Sequence, residues 1–346
     1  MSPPSDFSSR LVSWQRSSGR HDLPWQQPRT PYRVWISEIM LQQTQVQTVV
    51  GYFDAFIRRF PDVPSLAVAS EDEVLAAWSG LGYYSRARYL HRCAKVVMSD
   101  WGGQLPRKAK ELQLLPGIGP STAAAIASLC EGERVAIMDG NVQRVMTRWF
   151  AFDGDLSLAS AKQALLDKAR DLLPRDSRDM PSYTQGIMDL GATVCKPKQP
   201  NCPVCPLKED CKANGLQQVS RFPIKTRRLK RQSENWWMLF LQTASGQVAL
   251  IKRPEQGVWA SLWCFPMFSS EEQALAVLPV NKRSRVHWQE PIKHVLTHRD
   301  WWLSVGVLVL DHPLIWPGLT WMGKDSVHQL GLPQPVRSLL ASSLKD

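Results

Sequence analysis

Four cysteines crowd into one short stretch of this chain, and their spacing points directly to metal chemistry. They are Cys195, Cys202, Cys205 and Cys211, separated by six, two and five residues. The residues between them are rich in Pro and Lys and cannot build a core of their own, so we expect a bound metal to hold the loop. Four thiolates suit either a tetrahedral Zn²⁺ ion or a [4Fe-4S] cluster, and the cysteine count alone does not decide between them.

A glycine-containing turn is the second feature that could bind a ligand. The stretch LPGIGPSTAAAIAS at 115–128 places Gly117 and Gly119 between a helix predicted to end near Leu115 and an Ala-rich helix predicted to begin near Ser121. The amides of such a turn and the positive end of the next helix form a seat for phosphate. A plain corner between two helices also uses glycines, but the cysteine loop downstream favours the phosphate site.

The charge of the chain favours a polyanionic partner. Its 42 Lys and Arg against 31 Asp and Glu leave a net charge of +11, which suits DNA, RNA or an acidic membrane surface. Four lysines, at 196, 198, 208 and 212, lie in the cysteine loop, where they could face phosphates or merely be solvated. No apolar run approaches the ~18 residues of a membrane span. The first ten residues lack the features of a secretion signal, and seven cysteines, an odd number, suit a reducing compartment, so we expect a cytoplasmic protein. We also expect it to be a monomer.

The elements that must position these residues divide along the chain. Residues 7–215 show apolar spacings of three and four, which predict an all-helical domain, whereas NWWMLFLQ, QVALIKR and DWWLSVGVLVL further on predict strands around one helix, EEQALAVL. A chain of 346 residues is long enough for two domains. We therefore expect a multi-domain α plus α+β protein with a helical domain at 1–220, a basic linker at 221–235 and an α+β domain at 236–346. We expect the core of the second domain to contain Trp236, Trp237, Trp301 and Trp302.

Taken together, these features resemble the helix-hairpin-helix DNA glycosylases that carry an iron–sulfur cluster and, among them, the adenine DNA glycosylases. The resemblance covers the whole chain and rests on LPWQ at 23–26, SEIMLQQTQV at 37–46, GLGYYSRAR at 80–88, the LPGIGPSTA hairpin, MDGNVQRV at 138–145, QGIMDLGATVC at 185–195 and the cysteine spacing. It implies excision of adenine mispaired with 8-oxoguanine or guanine in double-stranded DNA. It also implies one [4Fe-4S] cluster on the four cysteines.

Two carboxyl groups carry the chemistry that the resemblance implies. Cleavage of an N-glycosidic bond requires a proton on the leaving base and stabilisation of an oxocarbenium-like sugar. By the resemblance, Glu38 donates the proton to adenine N7, Asp139 stabilises the sugar and Asn141 helps to position that centre. Glu38 must then be protonated, which a desolvated pocket favours. From the pattern alone, Asp139 would be a helix N-cap and Glu38 a solvated helix residue.

Ser121 bears on the type of glycosylase. Related enzymes that also cut the DNA strand have a lysine here, whose amine forms a Schiff base that serine cannot form. We therefore predict a monofunctional enzyme, and we expect Ser121 also to cap its helix. An endonuclease III-like glycosylase/lyase is disfavoured by Ser121 and by the extra C-terminal domain. A noncatalytic iron–sulfur DNA-binding protein is disfavoured by the pair Glu38 and Asp139.

Further contacts follow from the resemblance, since the target base must leave the stack before it can react. Gln42, Gln43 and Tyr83 are expected to contact the opened DNA, with Tyr83 wedged beside the oxidised guanine. The segments that line the adenine pocket in the family supply Trp25, Leu41, Gln185 and Met188.

Residues 236–346 resemble the NUDIX-like domain of the same family, with GVWASLWCFP as the best match. The acidic box that binds metal for pyrophosphate hydrolysis is missing, so we expect recognition and no hydrolysis. Where the family has a Phe-Ser-His loop, this chain has Leu296, Thr297 and His298, which keep a hydroxyl and an imidazole for contact with the lesion but lose the aromatic ring. His294 and His298 lack acidic partners, and we do not expect them to bind metal.

Overall fold

The chain divides into two structural units that alternate along the sequence. The computed structural model describes residues 5–226, 231–327 and 329–343. One unit comprises Met1–Ala67 and Arg92–Arg228, and the other comprises Val68–His91 and Leu229–Asp346. Residues 227–230 of the predicted linker lie outside the described residues, and the predicted domain boundaries stay a prediction.

The first unit is built from helices. Its elements, including the helices α4 and α6 that it shares with the second unit, are α1 Ser5–Ser18, α2 Pro31–Leu41, α3 Val46–Arg59, α4 Val63–Val68, α6 Ser85–Asp100, α7 Ala109–Leu112, α8 Pro120–Glu131, α9 Gly140–Phe150, α10 Ala159–Arg170, α11 Met180–Asp189 and α12 Lys212–Gly215. Helix α5, Glu71–Ala77, belongs to the second unit.

Local sequence explains where the central helix α2 begins. The Thr30 side chain caps it by accepting from the Arg33 amide at 3.2 Å, and Pro31 occupies its first turn, where a missing N–H costs nothing. Helix α2 packs on α8, whose run of alanines is buried and allows close approach.

Small residues also bring α11 close to its neighbours. A Cβ added at Gly186 would lie 3.0 Å from the Cβ of Gln15 on α1. Helix α11 continues into a π-helical turn at Leu190–Val194, and there a Cβ at Gly191 would lie 2.7 Å from the Cβ of Asn141 on α9. The glycine therefore allows the start of α9 to lie against this turn, which fixes the position of Asn141.

The second unit contains a mixed sheet of eight strands. The strands are β1 Gln232–Thr243, β2 Val248–Lys252, β3 Trp263–Cys264, β4 Met267–Phe268, β5 His287–Trp288, β6 Ile292–Val295, β7 Arg299–Leu310 and β8 Leu319–Met322. The main order is β3-β2-β1-β7-β5, with β4 on β1, β6 on β7 and β8 on β2. Only β1 and β7 run parallel among these pairs, in register from Gln232 opposite Arg299 to Thr243 opposite Leu310. The helices are α13 Glu271–Ala276, α14 Val280–Arg283, α15 Lys324–Val327 and α16 Gln334–Ser343.

One cluster of core residues in the second unit lies on one face of this sheet. Buried residues of β1, β2, β7 and α13 form it, among them Leu239, Leu241, Ala249, Ala274, Leu308 and Leu310. The prediction that four tryptophans fill the core is wrong for Trp302, which is 40% exposed and has the Lys293 ammonium 5.5 Å from its ring centroid. Trp301 lies on the opposite face of the sheet, which also buries Leu303 and Val305 of the same strand.

Residues 68–91 are held in the second unit by contacts that are distant in sequence. The Tyr84 hydroxyl donates to the Leu332 carbonyl at 2.7 Å, and Lys252 forms an ion pair with Asp72 at 2.9 Å. The predicted fold class, a helical domain followed by an α+β domain, is confirmed. Among the described residues, no helix has the length and apolar character of a membrane span.

Candidate active site

A cleft of about 1110 Å³ in the first unit brings together most of the residues predicted to act on a base. It is lined by Trp25, Glu38, Leu41, Gln42, Gln43, Ser121, Asp139, Asn141, Gln185 and Met188, among others. These residues come from the segment before α2, from α2 and its C-terminal end, and from α8, α9 and α11. A cleft of this size has room for a nucleobase together with its sugar.

Glu38 supplies a carboxyl group that is protonated at neutral pH. It lies on α2 between the buried residues Ser37 and Ile39, and it lines the cleft. Burial, and secondarily the negative charge of Asp139, raises the pKa of Glu38 to about 8. The carboxyl group makes no hydrogen bond to any described residue. Glu38 can therefore act as a proton donor towards a molecule in the cleft.

Asp139 lies close enough to interact with Glu38 but has a different environment. It is the N-cap of α9, and its Oδ1 accepts from the Val142 amide at 2.7 Å. Burial raises its pKa, while hydrogen bonds from the amides of Val142 and Asn141 and the charge of Arg144 act in the opposite direction. The two carboxyl groups are thus differentiated, because backbone donors stabilise the charged form of Asp139 alone.

Two buried arginines on α9, which the sequence analysis missed, connect this site to the cysteine loop. Arg144 donates to Asn141 Oδ1 at 2.8 Å, to the Gly191 carbonyl at 2.6 Å and to the Cys195 carbonyl at 2.8 Å. Arg148, one turn later, approaches Cys195 Sγ at 3.2 Å and donates to the Lys196 carbonyl at 2.8 Å. The sequence signal that could have identified them is the spacing of four residues, which places Arg144 and Arg148 on one face of a helix among apolar residues.

The ends of α2 and α8 place three further predicted residues. Gln42 follows α2 as its C-cap, with Nε2 3.5 Å from Thr122 Oγ1, and Gln43 adopts a left-handed conformation with φ of 60°. Ser121 lines the cleft as the second residue of α8. The predicted capping role of Ser121 is wrong, because the N-cap is Gly119 and Pro120 begins the helix.

The predicted phosphate hairpin lies between α7 and α8. Gly117 has a φ of 77°, which favours glycine, and Gly119 has an ordinary φ of −82°. Both glycines are exposed, and a Cβ at Gly119 would meet nothing within 4 Å. The backbone of this turn is therefore open to a ligand, although neither glycine lines the cleft.

The four cysteines of the loop are half-buried and line one small cavity together with Arg148. Burial raises the pKa of Cys205 to about 11, and the neighbouring cysteines contribute in the same direction. No group of three or more His, Cys, Asp or Glu side chains among the described residues is placed to hold a single metal ion. The four loop lysines are exposed.

The remaining predicted residues, Tyr83, Thr297 and His298, lie in the second unit. They line a separate cavity of about 580 Å³. Thr297 Oγ1 donates to the Tyr83 hydroxyl at 3.2 Å, and Tyr83 is 42% exposed. Tyr83 has a left-handed φ of 49°, and the buried Arg86 holds its loop through the carbonyls of Leu81 and Gly82 at 3.3 and 3.1 Å.

The helical unit holds two carboxyl groups with different environments in one cleft that can accommodate a base. Together with the hairpin turn, this site is typical of base-excision DNA glycosylases of the helix-hairpin-helix class. Residues 36–171 match the family of HhH-GPD superfamily base excision DNA repair proteins, and residues 236–342 match the NUDIX domain. The chain belongs to the adenine DNA glycosylase family. It is 33% identical to the adenine DNA glycosylase of Buchnera aphidicola from Acyrthosiphon pisum, over 98% of both chains. It is 31% identical to the human adenine DNA glycosylase, over 96% of this chain and 73% of the human one.

Solved structures show the same fold for the helical part. A thermostable thymine-DNA glycosylase is 29% identical and superposes with a TM-score of 0.54, over 62% of this chain and 97% of that chain. Endonuclease III trapped on DNA is 19% identical with a TM-score of 0.50, over 61% of this chain and 94% of that chain. The predicted enzyme class, a DNA glycosylase, is confirmed.

Proposed function

We propose that this protein hydrolyses the N-glycosidic bond of adenine paired with 8-oxoguanine or guanine in double-stranded DNA and leaves an abasic site. The observation that carries the proposal is the position of Glu38 in a cleft shared with Asp139, where desolvation raises the pKa of Glu38 to about 8. A carboxyl group that stays protonated at pH 7 is the acid that this reaction needs. The adenine DNA glycosylase relatives over nearly the full chain supply the expected base.

The reaction begins with acid assistance. Glu38 gives its proton to N7 of the extruded adenine, the C1′–N9 bond breaks, and the bonding electrons leave with the base. The ionised Asp139 stabilises the oxocarbenium-like sugar, and Asn141, held by Arg144, supports that side of the cleft. The Glu38 carboxylate then takes a proton from water as the water oxygen bonds to C1′. The walls predicted for the base, Trp25, Leu41, Gln185 and Met188, line the same cleft.

Strand cleavage is not part of the proposed reaction. Ser121 lines the cleft where a lyase would need an amine, and a hydroxyl cannot form a Schiff base with the sugar. We therefore infer a monofunctional glycosylase. The likeness to endonuclease III concerns the fold alone.

Contacts with DNA are assigned to three places. Gln42 and Gln43 lie at the edge of the cleft, and the exposed amides near Gly117 and Gly119 suit a phosphate without regard to sequence. Tyr83, Thr297 and His298 share the second cavity, where a hydroxyl and an imidazole can hydrogen-bond the oxidised guanine. Leu296 also lines this cavity, so no aromatic ring from that loop position stacks there.

The four cysteines fit one [4Fe-4S] cluster. Their thiols line one cavity, and four thiolates are a ligand set that such a cluster takes, while the family resemblance favours the cluster over zinc. Arg148 beside Cys195 Sγ would stabilise a thiolate there. When bound, the cluster holds the loop in shape, and the residues of the cleft carry out the reaction.

One assay distinguishes this proposal from its alternatives. The protein is incubated with a duplex that contains adenine opposite 8-oxoguanine and is then treated with hot alkali. Strand breaks only after alkali support the monofunctional enzyme, breaks without alkali favour a lyase, and no breaks favour a noncatalytic binding protein. Glu38→Gln should bind the duplex and release no adenine, and a near-normal rate in this variant would refute the role of Glu38.

A further inference from the structure

A buried ion pair lies beside the cleft and is not explained by the steps above. Asp189 is fully buried at the end of α11. Arg20 donates to it three times, through its backbone amide at 2.9 Å, Nε at 2.8 Å and Nη2 at 2.6 Å. Gln26 Nε2 in turn donates to the Arg20 carbonyl at 3.0 Å, so the arginine is fixed at both its backbone and its side chain.

The pair determines the orientation of one amide in the cleft. Gln185 lies one turn before Asp189 on α11, and its Nε2 donates to Asp189 Oδ1 at 3.0 Å. A carboxylate only accepts hydrogen bonds. If the Gln185 amide were flipped, its Oε1 would lie against Asp189 Oδ1, and two buried acceptors would repel each other. The amide is therefore locked with its nitrogen towards Asp189 and its oxygen away from it.

The Gln185 carbonyl oxygen is left for a ligand. Gln185 lines the cleft with Glu38, and none of the described residues donates to its Oε1. An acceptor in the same cleft as a protonated carboxyl group matches one edge of adenine, where N7 accepts and the 6-amino group donates. A 6-oxo purine places an acceptor at the same position and would meet the Gln185 oxygen with repulsion.

From this geometry we propose that Arg20 and Asp189 are positioning residues that fix Gln185 as an acceptor for the 6-amino group and so select 6-amino over 6-oxo purines. The inference rests on the proposed excision of adenine. An ion pair that is removed from water adds little net stability, because desolvation offsets the attraction, but this one holds a carboxylate that fixes the orientation of one amide. Arg20 itself also lines the cleft.

The test compares excision of adenine, unsubstituted purine and hypoxanthine from the same position opposite 8-oxoguanine, under single-turnover conditions. Purine lacks the 6-amino group, and hypoxanthine carries an oxygen there. The intrinsic lability of each base cancels when the ratio of two rates is compared between enzymes. Gln185→Met removes the acceptor at nearly constant volume and should lower the adenine-to-purine ratio about tenfold, the worth of one hydrogen bond.

The double variant Arg20→Met/Asp189→Leu removes the clamp without leaving a buried charge unpaired. Its Gln185 amide can turn either end to the cleft, so the hypoxanthine-to-adenine ratio should rise about tenfold. The matched control is Arg16→Met/Asp179→Leu, which removes an exposed ion pair of 2.7 Å outside the cleft and should leave both ratios unchanged.

The outcomes distinguish a failure of the proposed function from a failure of the positioning role of Arg20 and Asp189. If the wild type excises no adenine, the proposed function fails. If it excises adenine and both ratios in the clamp variant stay within twofold of the wild type, the inference alone fails. Should the clamp variant not fold, Arg20→Lys replaces it, since lysine keeps the charge and loses the fork of N–H donors. The hypoxanthine-to-adenine ratio should then rise about threefold, and an unchanged ratio overturns the role of Arg20.

Discussion

Replacing Glu38 by glutamine should abolish excision and at the same time stabilise the folded protein. The pKa of Glu38 lies at about 8 in the folded state against 4.5 for an ordinary glutamate. The folded protein therefore holds a proton that the unfolded chain releases, and wild-type stability falls as pH rises from 4.5 to about 8. Because a glutamine cannot ionise, the variant does not lose this part of its free energy of unfolding as the pH rises.

The magnitude follows from the same two values. At about 1.36 kcal/mol per pKa unit, the difference between 4.5 and 8 sets an upper limit of about 5 kcal/mol above pH 8. The Glu38 side chain faces a cleft that water enters, and a buried glutamine amide has its own desolvation cost, so we expect about 2 kcal/mol. Below pH 5 the gain should fall to less than about 1 kcal/mol.

Thermal unfolding of both proteins at pH 5 and pH 8.5 measures the effect. At pH 8.5 the melting temperature of Glu38→Gln should exceed that of the wild type by about 4 °C, and at pH 5 the two should nearly coincide. Asp54→Asn, an exposed carboxylate in the middle of α3, is the control and should show no pH-dependent difference. An equal difference at both pH values, or a less stable variant at pH 8.5, would refute the assignment of a protonated Glu38.

Three other predictions use the same structure. The single-turnover excision rate should fall about tenfold per pH unit above pH 8 as Glu38 ionises, and it should fall at acid pH as Asp139, whose pKa is raised, takes up a proton; a flat profile would contradict both roles. Gly117→Ala should lower stability by roughly 1 kcal/mol because of its positive φ, whereas Gly119→Ala should leave the melting temperature unchanged and weaken binding to duplex DNA in a titration. Arg148→Met leaves several buried carbonyls without a donor and should lower the free energy of unfolding by about 3 kcal/mol. It should also lower the iron content and the broad absorbance near ~410 nm. Full iron content in this variant would contradict the role of Arg148 in the loop.

Local sequence was sufficient to predict the helices and strands but not the polar contacts between them. The helix pattern before residue 215, the strand runs after 231 and the turn at Gly117 each follow from neighbouring residues, and the structure has them. The predicted capping role of Ser121 was wrong because the Gly119-Pro120 pair just before it starts the helix. Trp302 was misplaced because composition does not show how far along a strand the core extends: Trp302 shares a face with the buried Leu308 and Leu310 but is exposed.

Contacts between segments that are distant in the chain could not be predicted from the sequence. Arg20 and Asp189 are 169 residues apart, and either side chain alone is typical of a solvated surface. Glu38 and Asp139 were paired through the family resemblance, since nothing in a single chain shows that α2 and the start of α9 meet at one cleft.

The assignment of residues 68–91 to the second unit has a consequence for synthesis of the protein. This segment leaves the ribosome early, but its partners, such as Leu332 for Tyr84, are translated roughly 250 residues later. At about 5–20 residues per second, it waits on the order of 10 to 50 seconds for them. During that interval Leu75, which is fully buried in the finished protein and packs against Gly331, lacks this later partner and is a candidate for chaperone binding.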